Sequence, residues 1–247
     1  VEKRVLVVVA HGDDETNGAG GTLILLKQAG WDITIVYATL PVDTDAGNAR
    51  SEECFAAAMY LGVRSAILWE YPDGKLEDTL EARARMKRVY EEVQPTLVLG
   101  LHGLDVHPDH RAISALALGP AMQRGVNIEY FTMELCSSGR HTDADRPQSL
   151  GFFPTHYVDT TSVQDQVAEF TRCHGSQDPE AMIVGMARMH HNRAVESGIG
   201  SKAEAFVRLT RVGKLDPELQ AIFQPSTFIM PRPIGIDFDP KTIGIEV

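Results

Sequence analysis

Cysteine is scarce in this 247-residue chain: Cys54, Cys136 and Cys173 make an odd number with no C-x-x-C pair. That excludes a disulfide framework or a thiolate zinc site as the expected scaffold and suits a reducing compartment. Long apolar runs are also missing. No stretch approaches the roughly 18–20 residues that span a bilayer, so no transmembrane segment is expected. The opening Val1–Arg4 runs directly into the apolar Val5–Ala10, without the length, flanks or cleavage pattern of a secretory signal. A cytoplasmic protein is therefore expected. Basic charge is in deficit, with 23 Lys and Arg against 34 Asp and Glu and a net charge of −11. Neutralising a phosphate backbone needs clustered Lys and Arg, so nucleic acid is not an expected partner. The acidic balance leaves room for a substrate that carries amines.

What is present reads as alternating strands and helices up to about residue 135. Val5–Val9 is an unbroken apolar run, the pattern of a strand buried on both faces of a parallel sheet. Thr22–Ala29 reads as a helix stopped by Gly30, and Ile33–Tyr37 as the next strand. In Ala49–Leu61, Cys54, Ala57, Ala58 and Leu61 share one helical face. Ala66–Trp69 is a short strand, and Leu80–Val93 a helix halted by Gln94-Pro95. Thr96–Leu101, Arg111–Gln123 and Ile128–Met133 continue the alternation. Such units predict an α/β, Rossmann-like fold: a doubly wound, mostly parallel sheet with helices on both faces. Residues 136–247 are less regular, with helices at Val163–Arg172 and Pro179–Glu196 and a polar loop at Ser137–Pro154. With no repeat and no low-complexity linker, one domain over 1–247 is expected, its C-terminal portion completing a substrate cleft.

The densest chemistry is Ala10-His11-Gly12-Asp13-Asp14-Glu15, directly after the first strand. In an open α/β sheet the ligand crevice lies at the carboxyl ends of the strands, so this loop should open into it. Three carboxylates and an imidazole are costly to gather unless a cation or solvent compensates them. The three-residue spacing of His11 and Asp14 lets a tight turn bring both to one ion and leaves Asp13 free to point elsewhere. A second ligand-rich loop, His107-Pro108-Asp109-His110, follows the fourth strand, with Pro108 suited to the first helical position. A lone His pair at this spacing is often surface decoration. Two such loops at one end of a parallel sheet are harder to dismiss.

These motifs, H-G-D-D-E and H-P-D-H, resemble those of the PIG-L/LmbE-like de-N-acetylases. Further likeness lies in the glycine-rich Asn17–Thr22, in Arg50-Ser51-Glu52-Glu53, in Tyr71–Leu76, in His174-Gly175-Ser176-Gln177 and in Ala203–Phe206. The resemblance implies a zinc-dependent N-deacetylase acting on an N-acetylated sugar or glycoconjugate. It makes His11, Asp14 and His110 the metal ligands, Asp13 the general base and His107 the group that meets the oxyanion or acts as acid. Arg50 and Asp73 would reach substrate, although a solvated charge and a turn initiator are their bland counterparts. Glu15 would orient a ligand or the loop backbone. The same donors would suit Fe(II), so zinc rests on the resemblance and on the redox-inert task. Gly12 departs from the proline usual in the family, and Asp105 stands near where some members carry a tyrosine.

Other readings are a metal-dependent amidohydrolase acting on a non-sugar amide and a sugar-binding relative without catalysis. Dinucleotide binding is weak, because Gly12, Gly18, Gly20 and Gly21 do not give G-x-G-x-x-G and three acids would face the pyrophosphate. His102, His141, His156, His190 and His191 are expected to be structural or exposed. Nothing in the sequence speaks for or against a homo-oligomer.

Overall fold

The computed structural model describes residues 2–40, 45–123, 127–136, 151–209 and 214–226. The first half alternates as β1 (Arg4–Val9), α1 (Asp14–Gln28), β2 (Asp32–Thr39), α2 (Asp45–Leu61), β3 (Ser65–Tyr71), α3 (Leu80–Val93), β4 (Leu97–Leu101), α4 (Pro108–Ala121) and β5 (Glu129–Met133). The second half contributes β6 (His156–Asp159), α5 (Gln164–Arg172), α6 (Pro179–Ser197), β7 (Ala203–Arg208), α7 (Pro217–Ile222) and β8 (Gln224–Pro225). All pair into one eight-stranded sheet of order β3-β2-β1-β4-β5-β7-β6-β8. β1 to β5 run parallel, and β7, β6 and β8 extend the β5 edge antiparallel.

The expected doubly wound sheet is thus present, with an antiparallel extension that the sequence pattern did not show. Val5 to Val9 are fully buried at its centre, where Val7 faces Ile35 on one side and Leu99 on the other. β6, β7 and β8 escaped the sequence reading because they are short and carry polar residues such as Asp159 and Glu204. They become strands by pairing with an existing edge, which is a long-range event. Among the described residues no helix is long and apolar enough to cross a membrane.

α1 also starts earlier than expected, at Asp14 and not near Thr22. Its first turns penetrate the core, and its glycines let it seat there. A Cβ on Gly18 would lie 2.8 Å from the Met133 side chain. The helix is broken at Ala19, whose φ of −151° is non-helical, so its second part needs a cap of its own. Glu204 of β7 supplies it: one oxygen accepts from Gly21 N at 2.7 Å, the other from Thr22 N at 2.8 Å and Thr22 Oγ1 at 2.6 Å.

Glu204→Ala should orphan those buried donors, at about 1–3 kcal/mol each. For a chain of this size about 3 kcal/mol in total corresponds to a Tm lower by about 6–12 °C. A thermal melt unchanged within two degrees would show that the cap is not holding α1.

Candidate active site

The chain leaves β1 for β2 and β3 on one side and later returns to β4 and β5 on the other. The order therefore reverses between β1 and β4, the place where open α/β sheets form their crevice. Both motif loops emerge there, His11–Asp14 after β1 and His107–His110 after β4.

Asp14 folds its own loop back on itself. Its Oδ2 accepts from His11 N at 2.9 Å and Ala10 N at 3.2 Å, while Oδ1 lies 3.5 Å from His110 Nε2. His11 Nδ1 is 3.7 Å from Asp14 Oδ2 and 3.1 Å from His110 Nε2. The far nitrogen of each imidazole meets a carboxylate: His11 Nε2 is 3.3 Å from Asp109 Oδ2 and 3.1 Å from Asp73 Oδ1, and His110 Nδ1 is 3.1 Å from Asp105 Oδ1. A carboxylate behind a histidine fixes its tautomer and turns the other nitrogen toward a metal.

The electrostatics favour positive charge here. Burial opposes a charged His11, yet Asp109, Asp14 and Asp73 outweigh it and push its pKa up to about 12. Burial likewise opposes ionisation of Asp14, but His110 and His11 hold it well below the usual carboxylate range. Two imidazole nitrogens and a carboxylate converging in such a field fit a borderline divalent cation.

His11 also belongs to two groups of mutually close donors that do not include Asp14, one with His107 and His110 and one with Asp73, His107 and Asp109. The latter is the poorer cradle. Asp109 already accepts from Gly74 N at 2.6 Å and Leu76 N at 3.0 Å, and Asp73 is exposed.

Asp13 stands beside this cluster with its backbone in the left-handed half of conformational space, φ 137°. For a non-glycine residue that costs about 1–3 kcal/mol and is maintained only where surroundings impose it. The surroundings are explicit. Arg50 Nη2 donates to Gly12 O at 2.9 Å, and Asp13 N donates to Glu15 Oε2 at 3.0 Å, so both polar ends of the Gly12–Asp13 peptide are held by charged side chains. Glu15 is fully buried and its Oε1 accepts from Tyr37 OH at 2.9 Å and pairs with His174 Nε2 at 2.8 Å. Burial and the adjacent Asp14 push Asp13 up to about 6, against the pull of Arg50, His174 and His11.

His107 caps α4, its Nδ1 accepting from Asp109 N at 3.2 Å, so the ring proton sits on Nε2. Burial and the charges of His11 and His110 hold its pKa below the ordinary value.

Sequence reasoning passed over Asp105, Asp109, Tyr37 and His174. Asp109 could have been found as the carboxylate inside H-P-D-H, and Asp105 lies only five residues before His110; the contacts of Tyr37 and His174 with Glu15 close over 22 and 159 residues, which no local pattern records. Among the remaining histidines, His190 is buried and held down to about 4 by burial, His191 is exposed, and His102 and His156 pack edge-on to Phe152 and Phe131. His141 lies outside the described residues, as does most of the Ser137–Pro154 loop.

Residues 6–119, which contain both motif loops, match the family model described as PIG-L, GlcNAc-PI de-N-acetylase. The 1D-myo-inositol 2-acetamido-2-deoxy-alpha-D-glucopyranoside deacetylase of Corynebacterium glutamicum is 30% identical over 216 residues, covering 70% of this chain and 74% of its own. The chain belongs to the PIG-L family. The diacetylchitobiose deacetylase of Thermococcus kodakarensis is 29% identical over 194 residues, covering 72% of this chain and 71% of its own. A conserved protein of Thermus thermophilus superposes with a TM-score of 0.69 at 26% identity, over 85% of this chain and 96% of that one. The 4-carboxy-2-hydroxymuconate hydratase of Pseudomonas putida reaches 0.68 at 21% identity, over 87% and 99%. The PIG-L fold therefore also houses a hydratase, and chemistry has to be argued from the site.

Where the family usually carries proline, Gly12 packs so tightly that a Cβ would lie 2.3 Å from Cys54 Sγ. Gly12→Ala should therefore displace the loop at the usual overpacking cost of about 1–3 kcal/mol. It should also weaken metal retention, while Gly12→Ala with Cys54→Ala should recover both. Additive losses in a double-mutant cycle of Tm and bound metal would refute this coupling.

Proposed function

We propose that this chain hydrolyses the acetamide of an N-acetylglucosamine-type amino sugar to acetate and a free amine, with His11, Asp14 and His110 holding zinc. The observation that carries the proposal is the convergence of His11 Nδ1, His110 Nε2 and the Asp14 carboxylate beside a second, separately oriented carboxylate on Asp13. Two relatives named for deacetylating 2-acetamido sugars support the substrate class. Zinc would supply Lewis-acid polarisation of the amide carbonyl and bring the pKa of water within reach of a carboxylate base. Its redox inertness suits the task, and Fe(II) is the competing occupant of such donors.

The residues then divide the work. Asp13 takes the proton of the attacking water and returns it to the departing nitrogen. His107 Nε2–H donates to the carbonyl oxygen as charge builds there, a contact strongest in the transition state. Asp109 and Asp105 hold the two histidine rings. Arg50 serves the loop first, through Gly12 O, and its remaining N–H groups together with the exposed Asp73 meet sugar hydroxyls.

The direct test is acetate release from a panel of N-acetylglucosaminides by protein stripped with a chelator and reloaded with one equivalent of zinc. Failure of the loaded protein on every member would overturn the proposal, and release from simple non-sugar amides alone would move the substrate class.

Asp13→Asn should retain metal and lose about 10²–10⁴-fold in rate, the range for general-base catalysis. Asp14→Asn should lose metal. As Asp13 must be ionised to act, kcat/KM should rise with pH along a limb lying between 3.8 and about 6, the cation drawing it toward the lower end. The limb should vanish in Asp13→Asn. Metal loss in the Asp13 variant and retention in the Asp14 variant would reverse the two roles.

A further inference from the structure

We propose that His174 is a positioning residue for this reaction: acting through Glu15, it holds the Gly12–Asp13 peptide in the orientation that presents the Asp13 carboxylate to the crevice. His174 lies 159 residues beyond Glu15 and is fully buried, as are Glu15 and Tyr37. Its Nε2 and the Tyr37 hydroxyl both address Glu15 Oε1, leaving Oε2 for Asp13 N. Its ring edge also underlies the loop, with Cε1 and Nδ1 at 3.7 and 3.8 Å from the point a Cβ on Gly12 would occupy.

The pair is itself anchored. Glu53 of α2 accepts from Ser176 N at 2.6 Å and Ser176 Oγ at 2.8 Å, tying the turn after His174 to the helix that also carries Arg50. Arg50 and Glu15 thus grip opposite ends of one peptide, and both grips trace back to the interface between α2 and the 174–177 segment.

The physical need is plain. A carboxylate with no solvent exposure needs hydrogen-bond donors at its oxygens. Tyr37 alone gives Glu15 one neutral donor. Without His174 the Glu15 carboxylate would lose its only described charged partner and with it the fixed geometry that accepts from Asp13 N. Asp13 would then relax from φ 137°, and its carboxylate would leave the line of attack while His11, Asp14 and His110 kept theirs.

The rate arm of the test rests on the deacetylase proposal, whereas the amide-exchange arm does not. Full-length, zinc-loaded His174→Leu, His174→Asn and His174→Gln would be compared with the wild type. Gln can donate to Glu15 from nearly the position of Nε2; Asn is too short, and it replaces Leu if that variant does not fold. In His174→Leu or His174→Asn, hydrogen exchange of the Asp13 amide should quicken at least about tenfold. The kcat should fall about 10–100-fold, as on losing a supporting partner, with KM and zinc content within about twofold. His174→Gln should restore both within about threefold.

Unchanged Asp13 exchange in the non-donating variants would overturn the inference. So would a rate loss that only tracks zinc loss and is not rescued by Gln, since that marks a general structural role. A wild-type protein inactive on every acetamido sugar would sink the deacetylase proposal, and the exchange measurement would still decide whether His174 governs the Asp13 peptide.

Discussion

The crevice is organised by the cost of holding carboxylates where water is scarce. Asp13, Asp14, Glu15, Asp105 and Asp109 all lie within or against two short loops, and four of the five are buried. Each has a stated compensation: imidazoles for Asp14 and Asp105, backbone N–H groups and His11 for Asp109, His174 and Tyr37 for Glu15, Arg50 for Asp13. Remove the cation-seeking character of this cluster and little explains why the two loops converge. Packing alone would have favoured apolar residues at such depth.

Much of this frame was legible from residues alone. The apolar run Val5–Val9 announces a central strand, and the strand–helix alternation places the two loops at the carboxyl ends of parallel strands. What stayed hidden were contacts that only the folded chain makes. Asp105 reads as one more loop acid until His110 Nδ1 is found 3.1 Å away. His174 and Glu15 meet across most of the chain. α1 was read as starting late because glycine signals freedom in sequence, whereas here it permits close approach to Met133 and Thr160. β6, β7 and β8 lack apolar alternation strong enough to stand out, since their pairing to the β5 edge does the work.

Likeness to a hydratase of the same fold separates scaffold from chemistry. The sheet and its switch point provide a crevice and aim two loops into it. Which reaction follows depends on the donors those loops carry; the Asp13 peptide is held by Glu15 of the first motif and by Arg50, with Tyr37 and His174, outside either motif, behind Glu15.

Asp109 occupies a junction whose consequence is thermodynamic. Its carboxylate accepts from Gly74 N and Leu76 N and also touches His11 Nε2, so the rim segment bearing Asp73 and the imidazole at the metal position share one anchor. If, as proposed, Asp73 meets a sugar and His11 a cation, a sugar that shifts the rim alters the support behind His11. By linkage, whatever factor sugar binding imposes on cation affinity, cation binding must impose on sugar affinity. On that reading, rim and metal position would form a two-ligand cooperative unit, the apparent strength of either partner depending on the concentration of the other.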